Sequence, residues 1–510
     1  MKNNVEKKLG VILQYTQMAL SILISFIYTP VMLRILGQSE YGIYNLSNSI
    51  ISYLSLLSLG FGASYIRFYS RYKKNDDKEG IKKLNGLFLG VFLIMGAVAL
   101  ICGLALSANV SLFFNNTYSE NDMGIAKILM MFMSFNLALS FPTSVFTSYV
   151  TSQEKFVFQK LLNMVKTVVS PFLTLPILLL GYGSIGMVVI TTIITVLVDI
   201  TNIVFCIFKL GMKFDFHKPN FNLLKEITTF SFFIAINQIV DQINWATDKM
   251  VLGKICTSSA VAVYAIGSQI NTYYLQFSAP ISGVFVPQVN RIVMASDDDV
   301  KRDHDLTELF TKVGRVQFII LMLILSGFTF FGEYFVLKWA GNGYKNSYYV
   351  ALLLITPVTI PLIQNIGIEI QRAKNMHQFR SYVYLGMAIL NVGISIILSM
   401  NWGELGAALG TTISLIAANG IIMNWFYQKK LGINIIYFWK SIAKFIPALV
   451  VPVITGMLLN IKECSSLAGF VIRVVVYTII YAISMYCLGM NDFEKQQVGK
   501  ILKKLGVHQK

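Results

Sequence analysis

A chain of 510 residues that is 55% hydrophobic and only 13% charged, with a mean hydropathy of +0.63, is not composed like a soluble globular protein. On a soluble protein a net charge of +17 would suggest a nucleic-acid partner. Here the apolar residues come in runs of about 20, the length that crosses roughly 30 Å of hydrocarbon as a helix, so the chain reads as an all-α polytopic membrane protein with no nucleic-acid partner. Transmembrane β-strands are excluded, because they alternate apolar and polar residues over about 10 positions.

The first of fourteen predicted spans, 10–35, follows Lys7 and Lys8. It is too long for a signal-peptide core, and no small-residue cleavage site follows it, so it reads as a retained helix. One face carries Gln14, Gln17, Ser21, Ser25 and Tyr28, and Arg34 lies near the far end. The second span, 43–68, offers Asn45, Asn48, Ser52 and Ser55, with Arg67 near its inner end and Arg71 one turn beyond. Between spans three and four, 86–107 and 125–150, Asn115-Asn116-Thr117 matches a glycosylation sequon, a common chance match. Spans five and six, 161–181 and 185–208, place Lys166 about one turn in and Asp199 well inside the bilayer.

The seventh span, 226–247, runs into the polar stretch NQIVDQINWATDK. Asn237, Asp241, Asn244 and Asp248 recur there at steps of 4, 3 and 4 and share one helical face. The eighth, 261–286, offers Tyr264, Ser268, Asn271, Ser278 and Ser282, with Arg291 just beyond. The segment 287–313, with SDDDVKRDHDL, is the longest connection and is too short for a domain. Spans nine to twelve are 314–336, 348–370, 381–400 and 406–428, with Glu369 at the inner end of the tenth. Spans 441–460 and 468–489 precede a basic tail.

An even number of spans puts both termini on one side. That side holds 31 of the 42 Lys and Arg, and the opposite side only Lys249, Lys254, Lys338, Lys345 and Lys462. The positive-inside rule then makes both termini cytoplasmic in a multi-pass membrane protein, with some attraction to anionic lipid.

The chain repeats. GSIGMVVITTI at 183–193 resembles GELGAALGTTI at 403–413, Tyr44 and Ile50 match Tyr264 and Ile270, and Arg71 matches Arg291, all at an offset of 220. Six crossings return a chain to its starting side, so the copies are parallel, an arrangement typical of transporter halves with a substrate site between them. The expected domains are an N-lobe at 1–222 with helices 1–6, a C-lobe at 223–430 with helices 7–12, and helices 13–14 with the tail at 431–510.

Spans one, two, seven and eight are repeat partners, and all four carry polar stripes. A central hydrated cavity between the lobes requires such stripes, and hydrogen bonding between helices also produces them. An ionised carboxylate in hydrocarbon costs several kcal/mol, which points Asp241 at a cavity or a cation. Asp241, Asp199 and Glu369 are the acids suited to take up a proton or sodium, and Asp199 is equally a structural partner for Lys166 or for a neighbouring Asn. Arg34, Arg67, Arg71, Arg291 and Lys166 either snorkel to the interface or line a path for an anionic head group. Arginine suits phosphate because its planar fork donates two hydrogen bonds.

Several signatures are missing. There is no GxxxxGK[ST] phosphate loop, no HExxH and no histidine within a span; neither an enzyme nor a cofactor or metal is expected. Cys102, Cys206 and Cys487 fall in spans, and Cys256 and Cys464 are external candidates to pair.

The stretch Arg34-Ile-Leu-Gly37 followed by SEYGIYNL resembles the junction of the first two spans in Wzx-type polysaccharide flippases of the multidrug/oligosaccharidyl-lipid/polysaccharide exporter superfamily. The GxxG and TT pairs after spans five and eleven are similar to theirs, as are the two six-helix lobes and the additional helix pair. The resemblance covers essentially the whole chain. It implies a V-shaped cavity lined by helices 1, 2, 7 and 8, with Gln14, Gln17, Asn45, Asn48, Asn237, Asn244 and Asn271 on its walls. It implies a flippase that moves undecaprenyl-pyrophosphate-linked oligosaccharide repeat units by alternating access, with polymerase and glycosyltransferase partners and drive from a proton gradient, a sodium gradient or the membrane potential. Two relatives compete. Cation-coupled drug exporters usually have twelve helices. The lipid II flippase has fourteen but carries several arginines in its first helix, where this chain has GVILQYTQMAL and only Arg34 at the outer end.

Overall fold

A computed structural model gives the fold. It describes residues 2–504 apart from 59, 116, 218–220, 296–297, 462–463 and 465. Asn116 of the sequon and the side chain of Asn237 lie outside the described residues.

Every regular element among the described residues is helical, the form in which a chain in lipid satisfies its own backbone hydrogen bonds. α1 (Lys2–Ser52) is two helices joined at Gly37, whose φ of 74° and ψ of 172° leave the helical region, and the first two predicted spans meet there. A 3₁₀ turn (Tyr53–Ser58) and left-handed Gly60 (φ 71°) break the second span, which α2 (Phe61–Lys74) completes. α3 (Lys78–Ala108), α4 (Glu120–Ser152), α5 (Phe156–Leu179) and α6 (Gly183–Val204) correspond to spans three to six. α7 (Phe221–Ile255) runs past the predicted end at 247 and takes in Asp248 and Lys249. α8 (Ser258–Gln276) and α9 (Ala279–Ala295) divide the eighth span.

α10 (Asp299–Trp339) and α11 (Lys345–Ile363) follow, then the short α12 (Ile366–Ala373). α13 (His377–Leu415) is interrupted at Gly403, and α14 (Asn424–Lys429) continues it through a π-helical turn. α15 (Ile435–Ala443) and α16 (Ile446–Asn460) meet at a 42° bend. α17 (Leu467–Ser484) and α18 (Asp492–Lys504) end the chain.

Among the described residues nine helices are long and apolar enough to cross a membrane, or eleven when two bent pairs each count as one span. Two of those nine runs join predicted spans at a glycine, Thr16–Ser58 taking in parts of the first two and Gln378–Lys429 taking in the eleventh and twelfth, and the eighth predicted span is split into shorter pieces. Large apolar side chains such as Ile27, Ile94, Phe172 and Ile397 are exposed on these helices, as a hydrocarbon solvent allows.

The chain packs as two compact units, residues 1–265 with 392–407 and residues 266–391 with 408–510. α7 and the start of α8, which the repeat counts in the second copy, pack within the first unit. Aromatic side chains centre the first unit: Phe61, Tyr65, Phe88, Phe92, Phe141 and Tyr149 are buried together. In the second, Phe331, Phe445, Tyr477, Tyr481 and Met485 form a buried cluster.

The backbone repeats where the sequence does. Gly183 and Gly403 both take positive φ, 57° and 55°, at an offset of 220. Glu154 and Asn375, non-glycine residues with φ of 60° and 56°, stand 221 apart, as do Gly211 and Gly432 and the helix N-caps Asp77 and Asp298. Left-handed backbone is rare outside glycine, so the recurrence of such a residue at the same step is an independent mark of duplicated architecture.

Candidate transport site

The polar residues of α7 have two destinations. Gln238, Gln242 and Thr247 face the end of α1 and the 3₁₀ turn. Gln242 donates to Ser52, Tyr53 and Thr247 share a hydroxyl–hydroxyl bond, and Ser58 donates to Gln238 at 3.4 Å. Further along, Ser64 of α2 bonds Ser231 at 2.6 Å. A Cβ at Gly60 would fall 2.5 Å from Ile234, and one at Gly42 would meet the Ser258 carbonyl, so glycine permits both close crossings. This seam is built from side chains that each satisfy a partner on the neighbouring helix.

The predicted Asn237–Asp248 face takes a different course. Asp241 is exposed, Asn244 is half-buried, and Asp248 is only 1% exposed and accepts a hydrogen bond from Tyr264. The face is therefore open at Asp241 and closed at Asp248.

The remaining predicted residues are dispersed. Gln14, Arg34, Asn48 and Arg67 are exposed, and Gln17 is half-buried. Asn45 donates back to the Tyr41 carbonyl at 2.9 Å. Tyr28 bonds Thr174 of α5 at 2.8 Å. Arg71 pairs with Glu226 of α7 at 3.0 Å on the surface, an arrangement worth at most about 1 kcal/mol. Half-buried Asp199 interacts with Lys166 and Thr143, and its Oδ2 is buried without a hydrogen-bond partner. In the second unit, Arg291 is exposed, Asn271 is buried with an unpartnered Oδ1, and Glu369 is paired with Arg372 at 2.7 Å on α12. All five cysteines are free thiols, Cys256 and Cys464 included. Among the described residues no group of three or more His, Cys, Asp or Glu is placed to hold a metal ion.

Sequence reasoning missed the most buried ion pair. Arg315, at the predicted start of span nine, reads in the sequence as an extension of the preceding charged loop. It is buried on α10, where it donates to both oxygens of Glu494 at 2.7 and 2.9 Å and to the carbonyls of Ser441 and Gly489, and it lies 4.2 Å from the Phe445 ring centre. Also missed was Glu40, which accepts the backbone N–H of Ser184 at the start of α6.

The helices define a multi-pass membrane protein with the fold of the MOP-superfamily transporters. The structure of the lipid II flippase MurJ in an inward closed conformation superposes with a TM-score of 0.69 at 14% identity, covering 98% of this chain and 99% of that one. An inward-facing multidrug resistance MATE family transporter gives 0.67 at 15% identity, over 84% of this chain and 99% of that one. A mutant form of the Vibrio cholerae MATE transporter VcmN gives 0.54 at 15% identity, over 84% and 99%. No curated protein matches the chain in sequence. The polysaccharide biosynthesis protein family model matches residues 10–293, more than half of the sequence, and the chain belongs to that family.

Proposed function

We propose that this protein is a flippase that carries undecaprenyl-pyrophosphate-linked oligosaccharide repeat units from the inner to the outer leaflet of the bacterial cytoplasmic membrane, for surface polysaccharide biosynthesis. The observation that carries the reading is membership of the polysaccharide biosynthesis family in a chain with a transporter fold. Transport proceeds by alternating access of the two repeat copies, with both termini cytoplasmic, and the protein acts as a transporter and not as an enzyme. Arg34, Arg67, Arg71, Arg291 and Lys166 receive the pyrophosphate, and Arg71 exchanges Glu226 for it. Asn45, Asn48 and Asn244 hydrogen-bond the sugars. Exposed Asp241, or Asp199 beside Lys166, takes the coupling proton or sodium ion. Glycosyltransferases supply the substrate and a polymerase consumes it.

A lipid II substrate is the second reading, favoured by the full-length superposition on a lipid II flippase. Deletion of the gene in a host that makes a surface polysaccharide separates the two. The account expects loss of the polymer and build-up of the lipid-linked repeat unit facing the cytoplasm, with cell-wall synthesis intact. Normal polymer export, or build-up of lipid II instead, would sink it.

A further inference from the structure

Each unit contains a cavity at the same place in its own repeat copy. In the first unit a cavity of about 490 Å³ is lined along α3 by Leu87, Gly90, Val91 and Ile94, and beyond α6 by Phe216 and Leu223. In the second a cavity of about 760 Å³ is lined by Glu308, Thr311, Lys312, Arg315, Tyr437 and Lys444. Every residue of the second set stands 221 positions after its counterpart in the first, the step that also relates Asp77 to Asp298 and Glu154 to Asn375. The fold thus forms this cavity twice, and at these six matched positions the first copy has apolar side chains or glycine where the second has polar or charged ones. The first cavity also has charged residues at its mouth, and these engage one another or the backbone: Asp77 accepts the Gly80 N–H, Glu79 pairs with Lys82, and Asp215 accepts the His217 N–H, pairs with the His217 ring and interacts with Lys83.

Packing does not require charge at these six positions, because the first copy is apolar or glycine there. Two are explained within the protein: Arg315 is neutralised by Glu494, and Lys312 lies 3.5 Å from the ring centre of Phe493. Four changes are not. Glu308 replaces Leu87 and is exposed, with no ion pair among the described residues. Thr311 replaces Gly90, and its buried hydroxyl has no hydrogen-bond partner. Lys444 replaces Leu223 and is exposed, with no ion pair among the described residues. Tyr437 replaces Phe216 and adds a hydroxyl at the rim. With the Arg315–Glu494 pair cancelled, Lys312 and Lys444 against Glu308 leave one net positive charge, matched to one phosphodiester. Leu488 in the lining and Ile436 and Ile446 beside it are exposed and apolar, which suits acyl chains leaving the cavity. In the span order expected from the sequence this end lies on the side carrying the Lys and Arg excess, where anionic lipid attracts basic residues.

We propose that this cavity, between α10, α15 and the start of α18, binds the phosphate head group of an anionic phospholipid. Lys444 and Lys312 balance its charge, and the Thr311 and Tyr437 hydroxyls donate to its oxygens. Phosphate chemistry alone would also admit a soluble phosphate, so the test separates the two sources. Full-length protein in neutral detergent is titrated with phosphatidylglycerol, with phosphatidylcholine of the same chains, and with inorganic phosphate, reading bound lipid by native mass spectrometry and Tm. Wild type should retain phosphatidylglycerol over phosphatidylcholine. Lys444→Leu, which installs the residue of the first cavity, should weaken that binding roughly fivefold, and Lys444→Arg should keep it. Tyr437→Phe and Lys444→Gln read the same contacts if the leucine variant does not fold. Equal binding of the two lipids by wild type, or unchanged phosphatidylglycerol binding in all three charge- or hydroxyl-removing variants, overturns the proposal. Inorganic phosphate stabilising wild type as strongly as the lipid, with that effect lost in Lys444→Leu, overturns the lipid assignment.

Discussion

Replacing Glu494 by alanine strands a buried charge. Both side chains of the Arg315–Glu494 pair are almost fully enclosed, at 6% and 3% exposure. Glu494 also accepts the N–H of Asn491 at 2.9 Å, and its own N–H donates to the Asn491 side chain at 2.9 Å, so it caps α18 while holding Arg315. Removing one partner of such a pair costs about 3–5 kcal/mol, because the guanidinium keeps its desolvation and loses its counter-charge. At roughly 2–4 °C per kcal/mol for a unit of this size, the Tm in detergent should fall by about 10 °C. Arg315→Ile, which copies Ile94 of the first repeat, combined with Glu494→Leu should recover at least half of that loss. Full recovery is not expected, because the carbonyls of Ser441 and Gly489 lose their donors. Thermal unfolding of the singles and the double, followed by tryptophan fluorescence, reads the coupling. A Tm for Glu494→Ala within a degree of wild type, or strictly additive losses in the double variant, would refute the reasoning.

Other consequences follow from particular residues. Gly183→Ala should destabilise more than Gly403→Ala: both sit at positive φ, which costs about 1–2 kcal/mol, but only at Gly183 does the new Cβ run into Glu40, 2.5 Å away; equal Tm losses would count against this placement. Ser39 and Ser258 share a 2.8 Å bond from α1 to α8, so a Ser39→Cys/Ser258→Cys pair should form a disulfide under mild oxidation, seen as a loss of free thiol. Arg67→Lys should retain more transport than Arg67→Ala if the site recognises phosphate, and equal activities would make Arg67 an interface anchor. Asp241→Asn should slow or uncouple transport while the protein stays folded, and a transport rate unaffected by pH and sodium in both proteins would leave this exposed acid without a coupling role.

The sequence exposes what is periodic and hides what is brought together from far apart. Apolar runs locate the helices, and the shared offset locates the repeat, which Gly183 and Gly403 carry into the backbone. The break between α8 and α9 is hidden because Phe277 and Ser278 continue an apolar, helix-compatible pattern. In NQIVDQINWATDK the period marks a polar face but not which polar residues pair. Gln238 and Gln242 find partners on the 3₁₀ turn and at the end of α1, about 180 to 190 positions earlier in the chain. Arg315 and Glu494 are separated by 179 residues, and each stands at a span boundary where a charge looks like solvated loop. The dispersal of the basic candidates, with Arg71 on the surface against Glu226, follows from side-chain placement that composition does not encode.

The central claim is transport of a lipid-linked oligosaccharide. Its most direct test is purified protein in proteoliposomes loaded with undecaprenyl-pyrophosphate oligosaccharide from the host's own polymer pathway, with outer-leaflet substrate read by a membrane-impermeant glycosidase or lectin. Protein-dependent appearance of reagent-accessible sugar at the outer face is expected, reduced by Arg67→Ala and by Asp241→Asn. Accessible sugar that stays at the level of protein-free vesicles, while lipid II is translocated under the same conditions, would contradict it.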